Sequence, residues 1–311
     1  MTDLANFYTL SAEAARARQQ NLPLVALEST VITHGLPIPQ NLKLAQEMEA
    51  TVRAEGAAPA TIAVLDGKIQ VGLSANQLER LAATEAAIKV SLRDFATALV
   101  TGKPGGTTVA GTMFVAQQTG IRVFATGGIG GVHKEAHLDI STDLQALASI
   151  PMIVVCAGAK SILDLPATLE YLETLGVPVV GYGTDQFPEF FSLGQDLPVS
   201  VRLDSPAAVA KFAIQHWALG MKSAVLVCQP IPAQLAIPRA EIASVLEQVS
   251  NEVREQKISG QKVTPYELSR VNELTHGRSL QANLALLLNN AKLAAQLSRA
   301  LVSEARQTKT V

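Results

Sequence analysis

The segment Met152-Ile-Val-Val-Cys-Ala-Gly-Ala-Lys160-Ser-Ile-Leu-Asp164 puts a single amine where chemistry is readily done. Its apolar run reads as a buried strand, Gly158 breaks the strand, and Ser161 begins an apolar helical pattern. A lysine so placed projects from the carboxyl end of a central strand into the mouth of an α/β sheet, where open sheets of this class bind their ligands. Apolar walls disfavour an ammonium ion and leave a neutral amine able to attack a carbonyl carbon and form a Schiff base. The competing reading is a lysine that snorkels from a helix N-terminus.

Glu28 stands in the same position on another run. It follows Val25-Ala-Leu27 and precedes Ser29-Thr-Val-Ile-Thr-His-Gly-Leu-Pro37. A carboxyl at a strand end in partly apolar surroundings is pushed toward proton donation at neutral pH. A helix-capping or ion-paired glutamate explains the residue equally well, and His34 in the same loop reads as either structural or catalytic.

Three further stretches bear polar groups. Lys103-Pro-Gly-Gly-Thr-Thr108 precedes a helix whose first turn is Val109-Ala-Gly-Thr112, and free amides with threonine hydroxyls there offer a seat for a phosphate. It is not a Walker A loop, because no Gly-Lys-Ser/Thr triplet closes it. Gly127-Gly-Ile-Gly-Gly131 fails as a dinucleotide fingerprint: counted from Gly128, the third glycine is replaced by His133. NAD is therefore not expected, while a glycine-rich backbone close to a smaller ligand, or a plain turn, both remain.

His133-Lys-Glu-Ala-His-Leu-Asp-Ile-Ser-Thr-Asp143 holds two histidines, two aspartates and one glutamate in eleven residues. Asp139 and Asp143, spaced i, i+4 with Ser141 and Thr142 between them, suit Mg²⁺ or Mn²⁺ better than a closed zinc site. Either Ser141 or Asp143 also reads as the N-cap of a helix over Thr142–Ser149. No Cys/His spacing indicates structural zinc, no Gly-x-Ser-x-Gly elbow indicates an α/β-hydrolase, and no basic–aromatic face indicates RNA binding.

The elements that must position these groups alternate along the chain. Strands are predicted at Leu24–Leu27, Lys89–Leu92, Arg122–Ala125, Val177–Tyr182 and Ala224–Val227. Helices are predicted at 41–55, 94–101, 108–119, 142–149, 166–175 and 279–303. Asp66-Gly67 marks a two-residue hairpin turn of the I′ kind between Thr61–Leu65 and Lys68–Gly72. The rhythm predicts an α/β fold with a mostly parallel central sheet, helices on both faces, and one domain over residues 1–311. The stretch 186–198, with Phe187-Pro-Glu-Phe-Phe191, reads as a long loop that covers a site or a neighbour's surface.

Composition agrees. Of 311 residues, 48% are hydrophobic and 17% charged, as a deeply buried sheet requires. A formal net charge of −2 gives no general pull toward nucleic acid or anionic lipid. Cys156 and Cys228 both lie in apolar runs and read as buried reduced thiols. No apolar run reaches about 18 residues and no leader pattern opens the chain, so a cytoplasmic protein is expected, with no membrane partner.

The motifs together closely resemble one family. They are Ala26-Leu-Glu-Ser-Thr30 with Thr33-His-Gly-Leu-Pro37, Lys89-Val-Ser-Leu-Arg-Asp94, Gly105-Gly-Thr-Thr-Val-Ala110, Ala125-Thr-Gly-Gly-Ile-Gly-Gly-Val-His133, Asp139-Ile-Ser-Thr-Asp-Leu144, Val154-Val-Cys-Ala-Gly-Ala-Lys-Ser-Ile-Leu-Asp164 and Ser279-Leu-Gln-Ala-Asn283. In this order they resemble the pseudouridine-5′-phosphate glycosidases and their indigoidine-cluster protein A relatives. The resemblance implies reversible cleavage of the C–C glycosidic bond of pseudouridine 5′-phosphate to uracil and ribose 5-phosphate, with a divalent metal, usually Mn²⁺. It implies Lys160 as covalent nucleophile and Glu28 as proton donor. It also implies substrate contacts from Lys89, Val109, Ser141, Thr142 and Asp143, metal at Asp139, and a homotrimer. The alternative enzyme is another lysine-dependent sugar-phosphate lyase or aldolase, and the alternative class is a non-catalytic sugar-phosphate sensor.

Overall fold

The computed structural model describes residues 6–134, 139–256, 258 and 263–308. His137, singled out in the acidic stretch, lies outside them. The backbone is built on one mixed sheet whose strands run, from edge to edge, Tyr8–Leu10, Lys68–Val71, Ala58–Leu65, Leu24–Leu27, Val123–Ala125, Ile153–Cys156, Val225–Cys228, Val179–Tyr182 and Val201–Leu203. Gly105–Thr107 pairs with both Ala58–Leu65 and Ile88–Val90 to the side of this path. Only the pairings of Ala58–Leu65 with Lys68–Val71 and with Gly105–Thr107 are antiparallel in this sheet.

The central strands are buried on both faces, which is why they read as continuous apolar runs. Their side chains alternate between two cores. Ala26, Phe124, Val154 and Cys156 face the helices Val109–Thr119, Thr142–Ser149 and Leu165–Thr174. Leu27, Ala125, Val155 and Val227 face Gln40–Ala54, Pro206–Ala218 and the long helix Arg278–Thr308. Helices therefore cover both faces, as expected. Asp66 and Gly67 both have positive φ, 54° and 68°, as a type I′ turn requires. Among the described residues no helix is long and apolar enough to cross a membrane.

Local readings differ from the outcome in four places. No helix starts at Ser161: Leu163–Asp164 pairs antiparallel with Val132–His133, and the helix begins at Leu165. Asp164 caps it by accepting from the Ala167 N–H at 3.0 Å, with Pro166 in the first turn; these start signals outweigh the apolar spacing of Ile162, Leu163 and Leu165. Gly105–Thr107 is a strand rather than an open phosphate loop. The sheet gains two edge strands that were not predicted, Tyr8–Leu10 and Val201–Leu203, while the stretch 186–198 is the long loop expected, folded inward with Phe187, Phe190 and Phe191 all under 5% exposed. Finally, the helices Ala12–Gln19, Ala75–Ala82, Pro206–Ala218, Arg239–Glu255 and Val263–Leu274 join those predicted.

Candidate active site

Chain order reverses around Leu24–Leu27. The next strand, Ala58–Leu65, lies to one side and Val123–Ala125, reached later, to the other. At such a switch point the loops leaving the two carboxyl ends part and open a crevice. Glu28 leaves the first strand and Thr126 the second, and the Thr126 hydroxyl donates to Glu28 Oε1. The next strand, Ile153–Cys156, continues through Gly158 to Lys160. Three adjacent strand ends thus deliver an acid, its hydroxyl partner and an amine to one place.

Gly158 is needed for this path. Its φ is +85°, and a Cβ there would stand 2.0 Å from the Pro188 carbonyl oxygen. The phenylalanine stretch can therefore cross directly over the end of the strand. Phe190 donates its N–H to the Ala157 carbonyl at 3.1 Å, which fixes the crossing.

Glu28 is 8% exposed. Burial raises its carboxyl above the usual carboxylate range, against the pull of Lys160 and the Thr126 hydrogen bond. A raised carboxyl of this kind is the environment expected of a proton donor. Lys89, the middle residue of Ile88–Val90, is held below the usual lysine range, first by burial and then by the neighbouring charge of Lys160. His34 is lowered by burial and then by Lys89, and its Nδ1 lies 2.7 Å from the Thr33 hydroxyl.

Two depressions meet at this centre, and Glu28, Thr30, Lys89, Lys160 and Ile162 line both. One is polar, with Thr108, Val109, His133, Asp139, Ser141, Thr142 and Asp143. The other is largely apolar, with Val31, Gly127, Gly128, Phe190, Phe191, Leu268, Val271 and Leu287, plus His34, Glu267 and Asn283. Of the residues the sequence nominated for the site, Glu28, Lys89, Val109, Asp139, Ser141, Thr142, Asp143 and Lys160 line one or both, while Gly105, Gly106 and Thr107 line neither. Nor does Lys103, which is exposed.

The polar half is preassembled. Ser141, not Asp143, caps the helix Thr142–Ser149 by accepting from the Asp143 N–H at 3.2 Å. Asp143 is 6% exposed and spends its carboxylate on two backbone amides, Ala110 N at 2.9 Å and Gly130 N at 2.8 Å. It so ties the start of Val109–Thr119 to the glycine turn. In the first turn of that helix the Gly111 amide is taken by Thr108 and the Thr112 amide by the Thr108 carbonyl. Among the described residues this leaves the Val109 N–H as the amide of that first turn without a partner, in a residue that lines the cleft. The anion seat expected at Gly105–Thr108 therefore shrinks to this one amide and the cations beside it. Gly105 and Gly106 are occupied in strand pairing, and Thr107 bonds to the Ile62 carbonyl and to Thr112.

Sequence reading missed Thr126 and Glu267 as site groups, whereas the loop carrying Phe190 and Phe191 lies over the cleft, one of its two expected places. Polar residues on an otherwise apolar helix were the available signal for the C-terminal side: Asn290 donates to the Thr126 carbonyl at 2.8 Å, and Asn283 lines the apolar half.

Comparison with known proteins agrees with this geometry. Residues 13–300 match the family described as Indigoidine synthase A like protein. A protein of Paracoccus denitrificans named pseudouridine-5′-phosphate glycosidase is 54% identical over 298 residues, covering 94% of this chain and 98% of its own. One of Geobacillus kaustophilus with the same name is 50% identical, covering 95% and 99%. Among solved structures, the prealnumycin C-glycosynthase AlnA in complex with ribulose 5-phosphate superposes with a TM-score of 0.89 at 40% identity, covering 97% and 99%. An indigoidine synthase A-like protein of Thermotoga maritima gives 0.87 at 36% identity, covering 95% and 97%. With a family match over nearly its whole length and relatives half identical to it, this chain belongs to the Indigoidine synthase A like family.

Proposed function

We propose that this protein is an enzyme that reversibly cleaves the C–C glycosidic bond of pseudouridine 5′-phosphate, giving uracil and ribose 5-phosphate. The observation that carries the reading is the acid–amine pair, Glu28 and Lys160, at the junction of a polar and an apolar cleft. The names of the relatives support it, as does a C-glycosynthase of the same fold with a pentulose phosphate bound. The polar half suits a sugar phosphate and the apolar half a flat base. An aldolase-like lyase would have no use for the apolar half, and a sensor none for a buried acid beside an amine.

A C-glycoside has no heteroatom leaving group at the base, so a pair of carboxylates does not suffice. In the proposed sequence Glu28 gives its proton to O4′ as the C1′–O4′ bond breaks and the ribose opens. The Lys160 amine bonds to C1′, and the Glu28 carboxylate takes up the proton that the amine releases. The C1′–C5 bond then breaks: its electron pair goes to uracil C5, which receives that proton, while nitrogen and C1′ form the iminium of a Schiff base. Water hydrolyses the iminium, releasing ribose 5-phosphate, the free amine and a proton that restores Glu28. Lys89, the Val109 amide, Ser141 and Thr142 hold the sugar phosphate during these steps.

A divalent ion fits the polar half only in an open form. No group of three or more His, Cys, Asp or Glu residues among the described ones could hold a metal, and both Asp143 oxygens are already committed. Asp139, exposed at the rim, would hold Mn²⁺ with water and substrate oxygens, as such ions accept, and the ion would there neutralise charge on the sugar phosphate. Assembly as a homotrimer is part of the same proposal. The test is to incubate the purified protein with pseudouridine 5′-phosphate and Mn²⁺ and follow uracil. Release of uracil with ribose 5-phosphate in equal amounts is expected, and no release would overturn the reading.

A further inference from the structure

Glu267 lies on the helix Val263–Leu274, only 8% exposed, and its Oε2 has no hydrogen-bond partner among the described residues. A buried carboxylate oxygen left alone is costly, and each such group in a native fold calls for an explanation. Burial pushes this carboxyl up to about 7, with the charge of Lys134 opposing. Yet Lys134 makes no ion pair with it within 4 Å. The residue lines the apolar half of the site, where the walls around it are Phe190, Phe191, Leu268 and Val271. A carboxyl among such walls is best satisfied by a ligand that brings its own donor.

The missing donor can be identified by chemistry. The inference rests on the reading given above, in which the base occupies this half and is joined to the sugar through C5, close to Lys160. The edge opposite C5 then points away from Lys160, and it carries N1–H, the C2 carbonyl and N3–H. Because the sugar is on carbon, both ring nitrogens keep their hydrogens. A donor supplied by the ligand favours the ionised form of this raised carboxyl; that form only accepts hydrogen bonds, and those from N–H to a carboxylate are among the stronger ones. We propose that Glu267 accepts a ring N–H of the uracil and is thereby a specificity-determining residue for a base that keeps both N–H groups. No role in the proton steps is assigned to it. The side chain also borders a second cleft that contains Lys134, so a remote ionic role for that lysine is the competing account.

The test runs the reaction in the synthetic direction, from uracil and ribose 5-phosphate, and measures a KM for each. The wild type is compared with Glu267→Leu and Glu267→Gln, and uracil with 1-methyluracil and 3-methyluracil. Glu267→Leu should raise the KM for uracil by about 10- to 100-fold, the usual worth of a hydrogen bond to a charged group, and leave the KM for ribose 5-phosphate within about twofold. Glu267→Gln, whose amide oxygen still accepts, should fall between. The wild type should discriminate against at least one methylated base, and Glu267→Leu should lose most of that discrimination. An unchanged uracil KM in Glu267→Leu, both KM values rising together, or intact discrimination against the methylated bases would overturn the assignment. A wild type that makes no product from uracil and ribose 5-phosphate would instead overturn the reaction itself, and the Glu267 assignment with it.

Discussion

Replacing Asp143 with alanine distinguishes a brace from a metal ligand. The carboxylate accepts from Ala110 N at 2.9 Å and from Gly130 N at 2.8 Å, in a residue only 6% exposed. Alanine leaves both amides buried and unpaired, and each costs about 1–3 kcal/mol, or about 2–6 kcal/mol together. For a chain of 311 residues the unfolding entropy converts 1 kcal/mol into about 1.5 °C, so Tm should fall by about 3–9 °C. Gly130 cannot be filled to compensate: a Cβ there would stand 2.2 Å from Ser141 Oγ and 2.8 Å from Asp143 Oδ2. The exposed Asp139 is the control, and Asp139→Ala should leave Tm nearly unchanged while raising the Mn²⁺ concentration needed for turnover. Thermal unfolding and a metal titration of activity, run on both variants, read the two effects separately. An Asp143→Ala protein that melts with the wild type but needs far more metal would refute the brace.

Glu28→Gln should lower kcat by about 10²–10⁴-fold with KM little changed, checked by steady-state kinetics. Burial holds the Glu28 carboxyl high, so its contribution to stability is present below the ordinary carboxylate range and lost as pH rises through the raised value; the glutamine variant should escape that loss and melt no lower than the wild type at neutral pH. Borohydride treatment with ribose 5-phosphate should leave a reduced adduct on the Lys160 peptide, and peptide mass mapping to Lys89 would refute the nucleophile. The discrimination is sharp because Lys89 is the neighbouring amine that burial and Lys160 hold low. Unphosphorylated pseudouridine should show a much lower kcat/KM than the nucleotide, since the Val109 amide and the lysines lose the remote group that orients the reacting centre.

Most of the sheet was legible because its central strands are buried on both faces and leave unbroken apolar runs. The Asp66-Gly67 turn was legible for a local reason, positive φ at both positions. Glu28 and Lys160 could be nominated because each is a charged residue just beyond such a run, Glu28 directly after Leu27 and Lys160 four residues past Cys156. Harder to read were interactions closed by residues far apart in sequence. Thr126 looks like a turn residue until it is seen to donate to Glu28, 98 residues earlier. Gly105 and Gly106 look like a phosphate loop because their strand partners, Ile88 and Val64 for the first and Lys89 and Ala63 for the second, lie on other segments. The Phe187–Phe191 stretch has no strand or helix period, so only the space over Gly158 explains its burial.

The long final helix ties the first central strand to the end of the chain. Ser298 accepts from the Leu24 N–H at 2.9 Å and donates to the Leu24 carbonyl at 3.1 Å, across 274 residues. Asn290 on the same helix holds the carbonyl of Thr126, the partner of Glu28. During synthesis from the N-terminus, Leu24–Leu27 therefore waits for almost the entire polypeptide before its covering helix exists. Gln40–Ala54 and Pro206–Ala218 cover part of that face earlier, but the strip under Arg278–Thr308 stays open until that helix is made, an interval in which chaperone capture competes with aggregation. Closing so long a loop makes refolding slow for an α/β protein of this size. A stop codon before Asn290 would leave Glu28 without its anchored partner and part of one sheet face exposed, so truncation here disturbs the candidate site and the fold's solubility in a single event.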